Sequence, residues 1–446
     1  KNVNDLLKMY LKYCFLKRRY VSIKLYLKYM FWRIKAMGTT TSLSQKTIGI
    51  IKSTVPVLEK HGEQITKQFY QSMLTSHPEL LNIFNHANQK QGRQQKALAA
   101  AVYAAAKHID HLETILPAVQ QIAHKHRSLG IKPEHYPIVG KYLLLAIKDV
   151  LQEAATDEII NAWAEAYEVI ADVFIKMEAQ LYEEAASKCG GWKDFRRFIV
   201  QKKVKESDVI TSFYFIPEDG GEISEYLPGQ YVSVKVSIPG EKYTHIRQYS
   251  LSDAPGKGYY RISVKREAAT ADKPAGIVSN YLHDHVQEGD ILELSAPAGV
   301  FTLNLTKETP VVLISGGVGI TPLFSMASTV VSRQPNRQTT FIHAAINGNV
   351  HAFDQELRRL AEHPAFSYHV CYQSPSAEDR KHPYFGKEGF IDLPWMQTVI
   401  PAKEADFYFC GPLPFMKTVY HSLKEWGVAD ENIHYEFFGP AGDLTK

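Results

Sequence analysis

Residues 311–322 read VVLISGGVGITP, and this stretch decides the fold of the C-terminal part of the chain. The apolar run predicts a buried strand, the glycines predict a tight turn, and the residues after them begin a helix. Small residues at such a turn let the backbone close on a pyrophosphate, which the helix N-terminus stabilises. The pattern is GxGxxP, and a glycine-rich turn alone is often only a turn, but the flanking strand and helix favour a dinucleotide site. The residues predicted to hold the dinucleotide are Gly316, Gly317, Val318, Gly319, Ile320 and Thr321.

Strands and helices alternate from Pro310 to the C-terminus. Residues 340–345 read as a second strand, and residues 406–409 read as another central strand that ends in Cys410-Gly411-Pro412. Such alternation predicts a parallel α/β sheet, whose ligands bind at the carboxyl ends of the strands. We therefore predict that residues 303–446 form an α/β NAD(P)-binding domain.

Residues 192–302, which follow a short linker, show short alternating segments separated by Gly, Pro and Asp turns. This spacing predicts a small antiparallel β-barrel of about 110 residues. The candidate strands are residues 195–204, 209–217, 230–238, 259–266 and 291–294.

Arg247-Gln248-Tyr249-Ser250 lies within this barrel. An Arg suits a flavin pyrophosphate, a Tyr ring can pack on an isoalloxazine, and a Ser hydroxyl can hydrogen-bond a ring nitrogen. The same tetrapeptide also recurs by chance in ordinary strands. It therefore indicates an FAD-binding domain only together with the other motifs of the chain.

Residues 37–187 show helical periodicity without strand signals, which predicts an all-α domain of six or more helices. Ser44 can cap a first helix that runs towards Thr54, and a second helix leads to Tyr70 before His77-Pro78 breaks the chain. The later helix candidates are residues 91–109, 114–127, 133–151, which begins with a proline, and 156–186.

One histidine of the helical domain is a candidate iron ligand. His126 continues the apolar face of its helix, whereas His124 points about 160° away from that face. A lone histidine on an apolar face is usually a core residue. A flavin reductase needs a one-electron acceptor, however, and the four cysteines lack the clustering of an iron–sulfur site. The helical domain is therefore the place to look for a haem.

Other residues could complete a haem pocket. Gln94 and Leu98, four positions apart, could line the wall opposite His126. Phe84 would lie beside them, and Tyr70 would reach inward. Each of these residues alone reads as a core or surface position.

Composition is typical of a folded protein, with 45% hydrophobic and 22% charged residues among 446, a length that suggests about three domains. No apolar run reaches the roughly 18 residues of a transmembrane helix. The net charge of +4 is uneven, because residues 1–36 carry +9 and leave −5 for the rest. A mildly acidic body argues against a nucleic-acid partner. Four cysteines without a CxxC pair fit a reducing, cytoplasmic compartment.

Residues 1–36 differ in composition from all that follows, being rich in Lys, Tyr, Leu and Ile. They could form a basic amphipathic helix at a membrane surface, or a targeting peptide. We favour a third interpretation, in which this extension is translated upstream sequence outside the fold and Met37 is the natural start.

From about Trp192 to the C-terminus, several motifs together resemble the ferredoxin–NADP reductase superfamily. In chain order they are Pro228-Gly229-Gln230-Tyr231, Arg247-Gln248-Tyr249-Ser250, Val264-Lys265-Arg266, Val278-Ser279-Asn280, GxGxxP and Cys410-Gly411-Pro412. The residues that this resemblance assigns to FAD are Tyr231, Arg247, Gln248, Tyr249 and Ser250. It also places the C-terminal residues Glu436, Phe437, Phe438, Gly439 and Pro440 beside the flavin. Of the two phenylalanines, we expect Phe438 to stack on the ring system and the other to pack in the core.

Residues 37–446 as a whole resemble the flavohaemoglobin family. The globin markers are Gln68-Phe69-Tyr70, His77-Pro78-Glu79-Leu80, Ile83-Phe84, Lys125-His126-Arg127-Ser128 and Ile131-Lys132-Pro133-Glu134-His135-Tyr136. The resemblance implies that His126 is the proximal iron ligand and that Tyr70 and Gln94 are distal hydrogen-bond donors. The other roles that it implies are pocket shape for Phe84 and Leu98, a proximal hydrogen-bonding pair for Tyr136 and Glu178, and charges at the haem–flavin junction for Lys125 and Glu436. A solvated helix face is the alternative for Glu178.

The proximal pair has a physical purpose, since a carboxylate behind the imidazole pulls on its N–H and pushes electron density onto iron. The family resemblance implies nitric oxide dioxygenase activity, in which electrons pass from NADH or NADPH through FAD to haem b iron, whose bound O2 oxidises nitric oxide to nitrate. Two alternatives are an oxygen store or sensor with its own reductase, and an NAD(P)H diaphorase. The implied partners are small molecules, and we expect a monomer, although the residue pattern does not itself determine oligomeric state.

Overall fold

The computed structural model describes residues 43–84, 89, 92–271, 273–439 and 444. These residues form two compact units. One contains residues 43–78, 92–126 and 131–181, and the other contains residues 79–84, 127–130 and the chain from 182 onward. The extension 1–36 and Pro440 lie outside the described residues, so the hypotheses about them stay predictions. Within the described part, no helix combines the length and apolar character that crossing a membrane requires.

The N-terminal part of the described chain is helical, as predicted. Its helices are α1 (Gln45–Ser53), α2 (Val55–Ser76), α3 (Arg93–Lys107), α4 (Leu116–Leu129), α5 (His135–Leu151) and α6 (Asp157–Ser187). Ser44 caps α1, because its Oγ accepts a hydrogen bond from Thr47 N at 3.0 Å. The prediction that Pro133 opens α5 is wrong: Pro133 lies in the preceding turn, where its carbonyl accepts from Tyr136 N.

Helices α2 and α3 pack closely because small residues face each other. A Cβ added to Gly62 would lie 3.4 Å from the Cβ of Ala99, which is ordinary van der Waals contact. One turn further along α2, Thr66 Oγ1 donates to the backbone oxygen of Gln95 at 2.9 Å. This packing brings the face of α2 that carries Tyr70 towards the start of α3.

The middle of the chain forms a six-stranded antiparallel sheet in the order β4-β3-β6-β1-β2-β5. Its elements are β1 (Phe195–Lys205), β2 (Ile210–Pro217), β3 (Tyr231–Val236), β4 (His245–Ser250), β5 (Tyr260–Lys265), α7 (Ile277–Asp284) and β6 (Ile291–Ser295). Just beyond β4, Ser252 N donates to Arg261 O at 2.8 Å, which joins the two edge strands and closes the sheet into the predicted barrel. The prediction identified five strands, but it missed β4 as a strand and α7 as a helix.

The C-terminal part is a parallel sheet, as predicted, and its strands lie in the order β10-β9-β8-β7-β11-β12. Its strands are β7 (Val311–Gly316), β8 (Thr339–Ala345), β9 (Phe366–Tyr372), β10 (Phe385–Glu388), β11 (Asp406–Cys410) and β12 (Ile433–Glu436). Its helices are α8 (Ile320–Arg333), α9 (Asp354–Leu360), α10 (Leu393–Val399) and α11 (Leu413–Glu425). The strand order reverses between β7 and β11, and ligands of open α/β sheets bind at such a switch point.

Candidate functional site

Three helices of the first unit bring together His126, Tyr136 and Glu178. The Nδ1 atom of His126, on α4, lies 2.8 Å from Glu178 Oε1, on α6. The Tyr136 hydroxyl, on α5, donates to the same Oε1 at 2.6 Å. Glu178 is only 3% exposed, so it does not lie on the solvated helix face that was its alternative. Tyr167 supports this arrangement, since its hydroxyl donates to the backbone oxygen of Tyr136 at 2.6 Å.

The carboxylate determines which nitrogen of His126 can bind a metal. A carboxylate only accepts hydrogen bonds, so Nδ1 must carry the ring hydrogen. Nε2 therefore carries the lone pair, which is the form that ligates iron. The side chain of His126 keeps 33% of its surface exposed despite these contacts. This donor set fits a haem iron held by His126.

Tyr70 and Gln94, the two predicted distal residues, each carry a buried polar group. Tyr70 is 8% exposed, and burial raises the pKa of its hydroxyl well above the usual range. Gln94 is in the first turn of α3, and its Oε1 is buried without a hydrogen-bond partner in the described part of the chain. Leu98, also half-buried, follows one turn later on the same face. An orphaned buried amide oxygen is what a site for a polar bound group would contain.

Three further residues with predicted roles, Phe84, Lys125 and Glu436, are divided between the two units. Phe84 is half-buried, but it belongs with residues 79–84 of the second unit. Lys125 is half-buried on α4 in the first unit, whereas Glu436 is at the end of β12 in the second. The roles of Phe84 beside the distal residues and of Lys125 with Glu436 at a junction therefore stay predictions.

Strand β4 presents Arg247 and Tyr249 on one face, because alternate residues of a strand point to the same side. Burial lowers the pKa of Arg247 and raises that of Tyr249. Arg247 Nη1 donates to Ile246 O at 2.8 Å, and no carboxylate of the described residues lies within ion-pair distance of it. A partly buried guanidinium without a carboxylate partner fits an external anion such as a flavin pyrophosphate.

The other face of β4 carries Gln248 and Ser250, and it meets Tyr231 of β3, which pairs with Ser250 in register. Gln248 Nε2 donates to Ser128 Oγ at 3.0 Å. Burial raises the pKa of Tyr231, and the negative charge of Glu436 raises it further. Position 299 beside this ring favours glycine, because its φ is +111° and a Cβ there would lie 3.0 Å from a carbon of Tyr231.

The turn after β7 is built for a close approach of backbone to ligand. Gly317 has φ +53°, and a Cβ at Gly319 would lie 2.1 Å from the carbonyl oxygen of Cys410, so the turns after β7 and β11 touch through their backbones. Ile320 and Thr321 are buried, and Thr321 Oγ1 donates to Val318 O at 3.0 Å. The side chains thus anchor the turn, and its backbone is left at the carboxyl edge of the sheet.

The C-terminal strand β12 places Glu436 beside Cys410, because the two residues are register partners. Burial raises the pKa of the Cys410 thiol strongly, and the charge of Glu436 adds to this effect. Phe437 packs against the apolar core of the sheet, whereas Phe438 is 47% exposed, which agrees with the expectation that only one of the two rings packs inside. Gly439 follows with φ +143°.

No individual role was predicted from the sequence for several buried polar residues of the second unit. They are Ser128, Ser233, Arg261, Ser315, His343 and His351. Their contacts are made between strands and loops far apart in the chain, so no spacing rule could bring them together. The sequence offered one signal, the presence of two histidines, His343 and His351, on either side of the loop after β8.

Three family models match consecutive parts of the chain. Residues 67–174 match the globin family, residues 197–303 match an oxidoreductase FAD-binding domain, and residues 313–421 match an oxidoreductase NAD-binding domain. A globin joined to FAD- and NAD-binding oxidoreductase domains defines an oxidoreductase that carries haem, FAD and a nicotinamide dinucleotide.

Relatives resemble the chain over nearly its whole length. A flavohemoprotein of Halalkalibacterium halodurans is 59% identical over 92% of this chain and 100% of its own length. A flavohemoprotein of Bacillus thuringiensis subsp. konkukian is 61% identical over 90% of this chain and 100% of its own. The crystal structure of a flavohemoglobin from Malassezia yamatoensis, with bound FAD and heme, superposes with a TM-score of 0.78 at 28% identity, covering 89% of this chain and 100% of that one. The chain belongs to the flavohemoprotein family, as its motifs predicted.

One further solved structure resembles the C-terminal half alone. The flavohem-like FAD/NAD-binding domain of nitric oxide dioxygenase from Vibrio cholerae is 41% identical, with a TM-score of 0.51, and it covers 56% of this chain and 100% of that one. The likeness therefore concerns the FAD- and NAD-binding parts of the chain.

Proposed function

We propose that this protein is an NAD(P)H-dependent nitric oxide dioxygenase. Two molecules of nitric oxide and two of dioxygen would take up the two electrons of one NAD(P)H and yield two nitrate ions, NAD(P)⁺ and one proton. The observation that carries the proposal is the buried carboxylate of Glu178, 2.8 Å from His126 Nδ1. The name of the Vibrio cholerae relative supports the same activity.

Haem and FAD, when bound, supply the redox chemistry: the flavin accepts a hydride and releases single electrons, and the iron is the centre for dioxygen and nitric oxide. His126 would be the protein ligand of the iron, and Arg247 and Tyr249 would hold the flavin. Glu178 accepts the Nδ1 hydrogen of His126 and so increases the basicity of Nε2. An oxygen store does not need so strong a donor, whereas an enzyme that activates oxygen does.

The distal side chains would act on the bound gas by hydrogen bonding. Because the pKa of Tyr70 is raised far above its usual range, its hydroxyl stays protonated at any physiological pH and remains a donor. A donor aimed at developing negative charge in a site that excludes water is worth much more than in solution. Gln94, through its amide, would add a second polar contact.

The C-terminal turn would position the electron donor. The start of α8 offers its helix N-terminus to the pyrophosphate of the dinucleotide. Gly317, where an added Cβ would meet no atom within 4 Å, leaves the backbone open to it, and Gly319 lets the turn after β11 lie against this turn. This turn would thus hold the dinucleotide at the switch point of the sheet, while Arg247 and Tyr249 of β4 would hold the flavin.

A nitric oxide electrode experiment on the purified, haem- and FAD-loaded protein tests the proposal. With NADH and air-saturated buffer, we expect rapid consumption of nitric oxide and an equal amount of nitrate. Oxygen binding without nitrate formation would support a store or sensor instead. An NADH oxidation rate that is unchanged after removal of the haem would support a diaphorase.

Replacing Glu178 with glutamine is expected to slow nitric oxide consumption by about 10–100-fold, the usual cost of losing the hydrogen-bond partner of a metal ligand. The amide preserves the shape of the side chain but removes the negative charge that pulls on His126. The iron–histidine stretching frequency, measured by resonance Raman spectroscopy, should fall in the same variant. Glu183→Gln on the same helix, whose carboxylate makes only a surface ion pair, is the matched control and should change neither quantity.

Replacing Tyr70 with phenylalanine removes one hydroxyl from the distal side. We expect oxygen to dissociate about 10–100-fold faster and nitric oxide turnover to fall by a similar factor, because one hydrogen bond to a charged group contributes about 1.5–3 kcal/mol. Stopped-flow measurement of oxygen release checks this. Equal oxygen release and equal turnover in the variant would remove Tyr70 from the mechanism.

A further inference from the structure

A buried histidine holds the residue that precedes the dinucleotide turn. Ser315 is fully buried near the end of β7, immediately before Gly316. It is the register partner of His343 on β8, and its Oγ lies 2.7 Å from His343 Nδ1. This side-chain bond joins the end of β7 to β8, in addition to the backbone pairing of the two strands.

His343 is an unusual choice for this position in the core. The side chain is completely buried, and its second nitrogen, Nε2, has no hydrogen-bond partner among the described residues. Burying a polar atom without a partner is unfavourable, so a phenylalanine of similar shape would suit a purely structural position better. That a histidine occupies this position although its Nε2 has no partner among the described residues indicates that its Nδ1 bond to Ser315 has a use.

His351 packs against this ring. The centroids of the two imidazoles lie 4.2 Å apart, and their planes are tilted by 33°. Tyr368, whose hydroxyl lies 3.2 Å from Asp354 Oδ1, must donate to that carboxylate, and so it accepts from His351 Nε2 at 2.9 Å. The Nδ1 atom of His351 then accepts from the Tyr372 hydroxyl at 2.8 Å. Because every hydrogen of this chain of bonds is assigned, the His351 ring has one tautomer and one orientation.

The chain of bonds ends on the start of α9, which is itself fixed. His382 Nε2 also bonds to Asp354 Oδ1, at 2.8 Å. The residue before Asp354, Phe353, has φ +62°, a conformation that costs a bulky residue free energy and persists only where its surroundings enforce it. The guanidinium of Arg261, on β5 of the barrel, lies 4.6 Å from the centre of the Phe353 ring, and Arg261 pairs with Glu356 at 2.9 Å.

We propose that His343 and His351 are positioning residues for the nicotinamide dinucleotide. They fix the position of Ser315. Through Ser315 they fix the Gly316–Gly319 turn, whose backbone would bind the pyrophosphate. Both histidines would act through Ser315, without a contact of their own to the dinucleotide. The inference rests on the proposed role of this turn, but it does not depend on what the haem does with the electrons.

The test uses the full-length, cofactor-loaded protein with the variants Ser315→Ala, His343→Phe and the double variant. The NADH concentration that gives half-maximal FAD reduction is measured by anaerobic stopped flow, and ADP-ribose binding is measured by calorimetry. We expect each single variant to raise both the half-saturating NADH concentration and the ADP-ribose Kd at least fivefold, with the limiting rate of FAD reduction within twofold of wild type. Ser315→Ala also removes the weaker bond from Ser315 Oγ to Ile342 O, at 3.2 Å, but both substitutions remove the bond between Ser315 and His343. The double variant should therefore be no worse than the weaker-binding single variant.

A matched control is His369→Phe, which replaces a partly buried histidine on β9 whose side chain points to the opposite side from Tyr368. It should bind NADH and ADP-ribose as wild type does. Thermal melting shows whether each variant is folded, and if His343→Phe is not, the smaller Ser315→Ala change decides alone, with His351→Gln as the second probe.

The inference would be overturned if Ser315→Ala bound NADH and ADP-ribose with wild-type affinity. It would also be overturned if the effects of the two single substitutions multiplied in the double variant. A wild-type protein that reduces its FAD with NADH but does not consume nitric oxide would overturn the proposed function and leave the inference to be judged by the same binding data. The two failures are therefore distinguishable.

Discussion

A His126→Ala variant is expected to consume nitric oxide more than about a hundredfold more slowly than wild type, while NADH still reduces its FAD at the normal rate. Loss of a partner that only orients a metal ligand costs about 10–100-fold, so loss of the ligand itself should exceed the upper end of that range. The flavin and dinucleotide residues on β4 and at the start of α8 are unchanged in this variant. The reductase half of the reaction should therefore survive.

The nitric oxide electrode measures the predicted loss of consumption, and two further measurements on the same preparations locate its cause. The haem absorption band gives the amount of haem bound, and anaerobic NADH addition gives the rates of flavin and haem reduction separately. His124→Ala is the matched control, because it removes an imidazole from the same helix two residues away and should leave both rates unchanged. Normal haem content and full nitric oxide consumption in His126→Ala would show that the iron ligand has been misassigned.

The contrast between His126 and His124 shows what the sequence could predict. Helical periodicity placed His126 on the apolar face of α4, and the structure brings it within hydrogen-bond distance of Glu178, 52 positions away. Periodicity alone could not name Glu178, because a carboxylate in a long helix reads as solvent-exposed. Only the family resemblance connected the two residues, and the observed burial of Glu178 is what makes the contact strong.

Local patterns predicted elements well where one residue type dominates the geometry. Ser44 caps α1 because its hydroxyl has a free amide three residues ahead, and the apolar run of β7 is buried on both faces because helices cover the sheet. Strand β4 was missed because its polar residues, Arg247 and Gln248, weaken the alternation. His343 and His351 were missed because their contact joins strand β8 to the loop that follows it. The chain between them does not form a single helix or strand, so their spacing could not predict that contact.

Mild acid is expected to destabilise the α/β part of the chain, because two buried histidines must stay neutral there. Burial lowers the pKa of His351 from its usual 6.5 to about 4 and lowers that of His343 well below 6.5. The unfolded chain therefore binds protons between pH 6.5 and 4 that the folded chain does not. The stabilisation is complete above pH 6.5 and is lost as the pH falls towards 4, by up to about 1.4 kcal/mol per pH unit for each histidine. For His351 alone this amounts to about 3 kcal/mol.

Hydrogen exchange measures this effect locally, so the rest of the molecule does not complicate it. We compare the protection of a peptide spanning residues 339–360 between proteins at the same pH. This comparison cancels the intrinsic pH dependence of amide exchange. Between pH 6 and 5 we expect wild type to lose up to about a hundredfold protection relative to the double variant His343→Phe, His351→Gln. The single variant His351→Gln should show about half of that change on a logarithmic scale.

The titration of Asp354 does not produce the same loss of hydrogen-exchange protection between pH 6 and 5. Hydrogen bonds from His382 and Arg358 help to hold the pKa of Asp354 well below its usual 3.8 despite its burial, so its stabilising contribution is lost only at pH values below the measured window. The exposed His421→Gln on α11 is the control for a histidine outside the cluster, and it should leave the pH dependence of wild type unchanged. A double variant that loses protection between pH 6 and 5 as steeply as wild type would mean that the two imidazoles are not held neutral, and with that the fixed tautomer inferred for His351 would also fail.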